Sequence, residues 1–276
     1  MNNKIFNINI TNFISVSDLG DYYYESSKPG AIFEAHQEFS SKVFNFLKNK
    51  NSSLIILGGG NDVAFPLINA LSEHYLQEKE EGYQAVEIIH IDASLDMLKK
   101  EIIDSQSEFW FISEKINCKI THFGVEGFNV SENEFTYATQ HSHEILWITK
   151  DIRKLKYPNS LPKIVDVEIC TNAGIAFYNR VSKIKGPWMC SFDISSILPK
   201  YVPGVNCPSS TEGFTELEGI EICLISGFFN CRIIEFSECN GAIEMYKTSL
   251  TIVKMIYYFL IGQAIRNKFD QQNKNH

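Results

Sequence analysis

The sequence predicts an α/β protein: a central, mainly parallel sheet with helices on both faces, in three α/β/α layers. Three observations carry this. Short runs that are apolar from end to end, such as Leu54–Leu57, alternate with longer stretches of helical spacing. Strands that lack an apolar/polar alternation are buried on both faces, as in a parallel sheet between two helix layers. Polar and acidic residues follow directly after these runs, at the carboxyl ends of strands where open α/β sheets bind ligands.

In chain order, Leu54–Leu57 (LIIL) is a buried strand closed by Gly58-Gly59-Gly60, and Asp62–Leu76 has helical spacing. Val86–Ile91 (VEIIHI) is the next strand and leads into Asp92; Leu95–Glu108 reads as helix or loop. Asn117–Phe123, Glu144–Ile148, Ile164–Ile169 and Pro187–Asp193 (PWMCSFD) read as strands. Ile220–Ser226 is helical, Cys231–Phe236 (CRIIEF) is a strand, and Thr248–Ile265 is a closing helix. No repeat, low-complexity block or Pro/Gly/Ser linker divides the chain. Residues 1–276 therefore read as one domain with its motif-bearing core at 54–265. Gln77–Glu81 and Asn267–His276 read as solvated runs, the latter a flexible tail.

Composition narrows the function. Of 276 residues, 44% are apolar and 21% charged, which excludes disorder as the main state. Lys+Arg number 25 against 33 Asp+Glu, a net charge of −8, which argues against a general nucleic-acid binder. No run approaches the ~18 apolar residues of a membrane span, so no membrane association is expected. The first residues, MNNKIFNINI, show no secretory signal, and a cytoplasmic chain is expected. Seven scattered cysteines without a C-x-x-C pair read as reduced thiols rather than disulfides or a zinc site.

The strand-end rule brings Asp92, Asp96, Asp193 and Glu235 to one sheet edge. Carboxylates so grouped stay ionised only beside a cation, whether metal, ligand or Lys/Arg. Other features have plain readings: His90 as a packed core histidine, His141-Ser142-His143 as a surface pair, Cys190 and Cys207 as packing thiols, and Met255–Phe259 as core. Gly58–Gly60 is a tight turn or a phosphate loop. Combined with Asp92–Leu98 it also suggests an S-adenosylmethionine methyltransferase. Against that, Gly60 to Asp92 is 92 − 60 = 32 positions, longer than the ~20 usual between a glycine loop and a ribose acid.

Taken in order, these stretches resemble the ureohydrolase family of arginases, agmatinases and formimidoylglutamases. Leu57-Gly58-Gly59-Gly60-Asn61-Asp62 is similar to the family's Gly-Gly-x-His segment, and His90-Ile91-Asp92-Ala93-Ser94-Leu95-Asp96 to its Asp-Ala-His-x-Asp segment. Ser191-Phe192-Asp193-Ile194-Ser195 resembles its Ser-x-Asp-x-Asp segment. Val202-Pro203-Gly204, then Ser210-Thr211-Glu212-Gly213-Phe214 with Glu216, resembles its Pro-Gly and Gly-Gly-Leu-x-x-x-Glu stretch. Ile233-Ile234-Glu235-Phe236 resembles its Met-Glu strand end. The phrase Ser-Phe-Asp-Ile-Ser and the Met255–Phe259 helix look most like a divergent bacterial branch.

The resemblance implies an arginase-like fold and, in active members, two Mn²⁺ sharing a hydroxide that attacks a guanidinium carbon. It places Asp92 and Asp193 at the bridging carboxylates and Asp96 on the first ion, with Asn61 where that ion's His stands. Ser94 and Ser195 replace the second ion's His and Asp. The implied centre is degenerate: it holds at most one Mn²⁺ or other divalent cation, or none. Glu235 matches the carboxylate that faces the guanidinium or amidine, where two parallel N–H bonds suit it. Arginases carry a proton-shuttle His in the loop after the second motif. Residues 97–121 contain none, leaving His122, His141 or His143 as replacements. No catalytic residue is assigned.

Three readings follow. The first is a ureohydrolase-fold protein, weak or inactive, serving as a ligand-binding or interaction protein. The second is an active metal-dependent hydrolase of guanidine or amidine C–N bonds. The third is the methyltransferase. The implied partners are a small cationic guanidine or amidine and further copies in a homo-oligomer, with no nucleic acid and no membrane.

Overall fold

A computed structural model describes residues 2–3, 8–24, 31–49, 52–78, 85–165, 167–208 and 212–274. Ser210 and Thr211, the end of the Gln77–Glu81 run and the last two residues of the tail lie outside the described residues.

Six parallel strands form the main sheet: β1 (Leu54–Leu57), β2 (Val86–Ile91), β3 (Cys118–Val125), β4 (Glu144–Trp147), β5 (Trp188–Asp193) and β6 (Ile233–Ser237). Their order is β1-β6-β5-β2-β3-β4, and every pair is parallel. The chain leaves β1, crosses to β2 and builds outward to β4. It then returns to place β5 and β6 between β2 and β1. Such a reversal opens a crevice at the carboxyl ends of neighbouring strands, here β2 and β5.

Helices α1 (Ala31–Leu47), α2 (Ala64–Glu78) and α3 (Glu108–Lys115) cover one face. Helices α5 (Asn172–Val181), α6 (Glu216–Phe228) and α7 (Tyr246–Lys274) cover the other. A further helix, α4 (Glu132–Gln140), precedes β4. Successive strand residues enter opposite cores, as the two-residue pleat requires. Ile88, Met189 and Ile233 join Leu67, Ile68 and Ile112 on the first face. Ile89, Cys190 and Ile234 join Phe177, Ile225 and Phe259 on the second.

Two expectations shift and one open alternative is decided. Ile164–Ile169 adds no strand to the sheet; Lys163–Ile164 and Val167–Glu168 pair antiparallel in a small separate hairpin, with Val165 at φ 58° in the turn. Leu95–Glu108 is loop up to the start of α3. Much of the tail is helical, because α7 meets no breaker and continues through Arg266, which pairs with Asp270 one turn on. By length and composition α7 could cross a bilayer, but half of its apolar window is buried. It packs so tightly on α6 that a Cβ at Gly227 would collide with the Phe259 carbonyl. All seven cysteines are free.

Gly124 shapes the sheet beside the crevice. It sits at φ 101°, where the β3–β4 register slips between Phe123 and Val125, and a Cβ there would enter the Phe214 ring. Phe214 stacks on Phe123 at 5.8 Å. Gly124→Ala is therefore expected to destabilise by about 2–5 kcal/mol, from backbone strain plus overpacking. The midpoint of urea unfolding measures it, and a change under 1 kcal/mol would contradict the packing described.

Candidate functional site

The strand register stacks polar residues in two rows on the α2/α3 side of the sheet. In the upper row, Ser237 lies opposite Asp193, and Asp92 follows directly on β2, whose last residue Ile91 lies opposite Phe192. One pleat deeper, His122, His90, Ser191 and Glu235 stand side by side across β3, β2, β5 and β6. Below them the same face becomes apolar, with Ile120, Ile88, Met189 and Ile233.

Asp92, Asp96, Asp193 and Asn61 meet at this edge, and all four are buried. Asp96 reaches it because the chain turns back at φ 50°, a conformation Asp tolerates better than bulkier residues. The Asn61 amide donates to Asp96 Oδ2 at 2.8 Å and lies 3.3 Å from His90 Nε2, while its Oδ1 accepts Ser237 Oγ at 2.9 Å. Ser94 Oγ lies 2.7 Å from Asp92 Oδ2 and 2.5 Å from Asp96 Oδ1. A hydroxyl has one proton, so one of those contacts is with a protonated carboxyl. The Ser195 amide donates to Asp193 Oδ1 at 2.6 Å, a helix-capping bond.

In the deeper row, Ser191 Oγ donates to Glu235 Oε2 at 2.7 Å. His90 Nδ1 lies 3.1 Å from His122 Nδ1, His122 Nε2 lies 3.2 Å from His143 Nδ1, and His143 Nε2 reaches Ser113 Oγ at 3.0 Å. His143 therefore belongs to an inward file of imidazoles rather than to a surface pair, whereas His141 is exposed.

Burial dominates the electrostatics. It pushes Asp92 and Asp193 well above the usual carboxylate range, with added repulsion from Asp96 on the first and Asp92 on the second. It raises Asp96 to about 6 and Glu235 to about 8. Desolvation lowers His90 to about 3 and His143 to about 4, and holds His122 well below its ordinary value. Among the described residues no Lys or Arg forms an ion pair with these carboxylates; the charges acting on them are other carboxylates, Asp62 and Glu238 included, and His90 beside Asp92 and Asp96 is neutral. Glu235 Oε1 and both oxygens of Glu108 are buried without a partner on another residue. Converging buried carboxylates, orphaned oxygens and no protein cation fit a divalent metal ion, which prefers such oxygen donors. When bound, the ion would polarise a water or a ligand nitrogen.

Two residues of this region, Glu238 and Glu108, escaped the sequence reading, and a third, His90, was read there only as core packing. Glu238 lies just past the end of β6, half-buried at the mouth, where its Oε1 accepts the Asn61 N–H at 3.1 Å. Its signal was present, since a strand extended by one residue to Ser237 delivers Glu238 at the carboxyl end. Glu235, by contrast, is fully buried one pleat below Asp193. His90 could have been found by counting back two residues from Asp92, which keeps it on the same face. Glu108 carries no local signal, because only the return of the Asp96–Ser107 loop brings it under the cluster. A cleft of about 1530 Å³ between the segment 13–24, α1 and the free edge of β1 reaches the rim at Gly58, Gly59 and Asp62. There His36 Nε2 pairs with Asp62 at 2.8 Å.

Known proteins share this architecture. The formimidoylglutamase of Aeromonas hydrophila is 26% identical over 250 residues, covering 89% of this chain and 73% of that protein. The Aeromonas salmonicida formimidoylglutamase is 27% identical over 256 residues, covering 89% and 72%. Among solved structures, Trypanosoma cruzi formiminoglutamase with Mn²⁺ superposes with a TM-score of 0.80 at 24% identity, over 96% of this chain and 81% of that one. Bacillus subtilis formimidoylglutamase gives 0.73 at 18%, over 90% and 71%. These structural likenesses bear on the fold. Family membership sets the methyltransferase reading aside. The arginase family matches residues 3–262, nearly the whole of the sheet and its helices, and this chain belongs to it.

Proposed function

We propose that this chain is a one-ion, formimidoylglutamase-like relative of the dinuclear hydrolases. In this reading it binds one divalent cation on the Asp92, Asp96 and Asp193 cluster. It holds a linear amidine or guanidinium ligand above the ion and cleaves it weakly. The observation that carries the reading is what stands at the second ion's positions. Ser94 and Ser195 offer no anionic or imidazole donor; the Ser94 hydroxyl engages Asp92 Oδ2 and Asp96 Oδ1, while Asp193 Oδ1 takes the backbone N–H of Ser195. A single ion flanked by neutral hydroxyls activates water less than a pair does. The formimidoylglutamase relatives favour an amidine over a guanidine as the first ligand to try. Homo-oligomeric assembly belongs to the same proposal.

Glu238 is the carboxylate assigned to the planar cation. It stands at the mouth, whereas Glu235 is sealed beneath Asp193 and engaged by Ser191. Titration calorimetry with Mn²⁺ should find one ion per chain, and N-formimidoyl-glutamate, agmatine and arginine should be turned over slowly. Two ions with rapid turnover would sink the reading. Glu238→Gln should weaken amidine binding roughly 10- to 100-fold, the worth of a charged hydrogen-bond pair, with Mn²⁺ stoichiometry unchanged. Unaltered ligand affinity would remove Glu238 from the role.

A further inference from the structure

The family positions have lost their imidazoles to Asn61 and Ser94, yet one imidazole still faces the carboxylates. His90 Nε2 lies 3.5 Å from Asp92 Oδ2 and 3.5 Å from Asp96 Oδ2. One donor atom from each of the three residues lies within 4.8 Å of the others.

The hydrogen-bond network fixes which nitrogen carries the lone pair. The Asn61 Oδ1 is taken by Ser237, so its amide nitrogen points at His90 Nε2 and Asp96 Oδ2 and can only donate. His90 Nε2 is therefore an acceptor, and Nδ1 carries the proton and donates it to His122 Nδ1. His122 Nε2–H then donates to His143 Nδ1, and His143 Nε2–H to Ser113 Oγ. The file runs one way, with each ring neutral. Phe109 stacks on the His90 ring at 3.8 Å and 21° and sets its plane. A ligating histidine needs this arrangement once the Asn61 amide, which donates to Nε2 here at 3.3 Å, gives way to the ion: the lone pair toward the ion, the opposite N–H held by a partner, and the ring fixed. A histidine that only fills the core needs no lone pair aimed between two carboxylates.

Glu108 is a second, independent observation. It is fully buried at the start of α3, and neither carboxylate oxygen bonds another residue. The next residue, Phe109, donates its N–H to the Asp96 carbonyl at 3.1 Å. The charges acting on Glu108 are those of Asp96, Asp92 and Asp62. A buried carboxylate among carboxylates is costly unless a cation sits with them.

We propose that His90 Nε2, Asp92 and Asp96 form a single divalent transition-metal site, reaching one pleat below the family's bridging carboxylates, with Glu108 as its further anionic partner. This rests on the one-cation reading above and specifies its ligands. One imidazole among carboxylates suits Mn²⁺, Fe²⁺, Co²⁺ or Zn²⁺ better than Mg²⁺ or Ca²⁺.

Electron spin-echo spectroscopy of the full chain loaded with one equivalent of Mn²⁺ tests it. The expected spectrum shows the ¹⁴N modulation of one coordinated imidazole, lost in His90→Gln and kept in His36→Gln. Bound Mn²⁺ without imidazole modulation would overturn the inference while leaving the one-cation reading intact. No bound Mn²⁺ at all would overturn both. A signal lost in His36→Gln but kept in His90→Gln would overturn the assignment of His90. The wild-type spectrum decides by itself, so a His90→Gln chain that fails to fold leaves the test standing. Glu108→Gln should weaken Mn²⁺ binding roughly 10- to 100-fold with the nitrogen signal retained. Unchanged affinity would remove Glu108 from the site.

Discussion

The double variant Ser94→His, Ser195→Asp is expected to bind two Mn²⁺ per chain where the one-ion proposal gives the natural chain one, and to raise amidine hydrolysis at least about 100-fold, or about 2.7 kcal/mol of barrier. The backbone already places both positions correctly. The Ser94 hydroxyl lies between Asp92 and Asp96, and the backbone N–H of position 195 is held by the Asp193 carboxylate that caps the turn. The side chains are what the second ion lacks. Histidine at 94 removes the hydroxyl that ties Asp92 to Asp96 and supplies a nitrogen donor. Aspartate at 195 adds the charge that offsets the ion's desolvation. Two ions flanking one water lower its pKa further than one does. Calorimetry and product release measure the two effects separately. A folded double variant that still takes a single ion would remove these two positions from the one-ion proposal.

Deprived of divalent cations, the protein should melt roughly 5–10 °C lower at pH 8.5 than at pH 6, the shift expected from a few kcal/mol in a chain of this size. Asp96 at about 6 and Glu235 at about 8 are held above their unfolded values by burial, and Asp92, Asp193 and Glu108 are held well above. A raised carboxyl means the folded state keeps protons that the unfolded chain releases. That stabilisation is complete below the unfolded values near pH 4 and is lost as pH climbs through the folded ones. The histidines act in the opposite sense. His90, His122 and His143 are neutral when folded, and their unfolded counterparts gain protons below about pH 6.5. Their contribution is complete only about a unit above that point, and the opposing gain it adds from pH 6 upward is smaller than the loss from the five raised acids. Mn²⁺ replaces the protons and should flatten the profile. Melting temperatures in chelator that rise from pH 6 to 8.5 would contradict this account.

Most of the fold was legible in the sequence because strands buried on both faces are apolar throughout, and five of the six main strands were read directly as such runs with Glu144–Trp147 as the sixth. The hairpin at Lys163–Glu168 misled, since a short apolar run looks alike inside or outside a sheet. Helices α1, α3, α4 and α5 were not read; in α1, α3 and α4 the buried face is interrupted by polar residues that pack inward, such as His36, Glu108 and Glu134. The candidate site divides in the same manner. Asp92, Asp96 and Asp193 follow strand ends and announce themselves, whereas Glu108 and the His122–His143 file come from separate elements and meet only when those elements pack.

Local sequence determined where strands end, and therefore which acids reach the crevice and which family the chain joins. Those properties depend on residues a few positions apart. Depth was decided only by the tertiary structure. Strand register sets Glu235 a pleat below Asp193, and turns His90 from a buried core residue into the imidazole beside two carboxylates. A two-residue pleat and a lateral hydrogen-bond ladder carry that information, and both exist only once six distant segments pair.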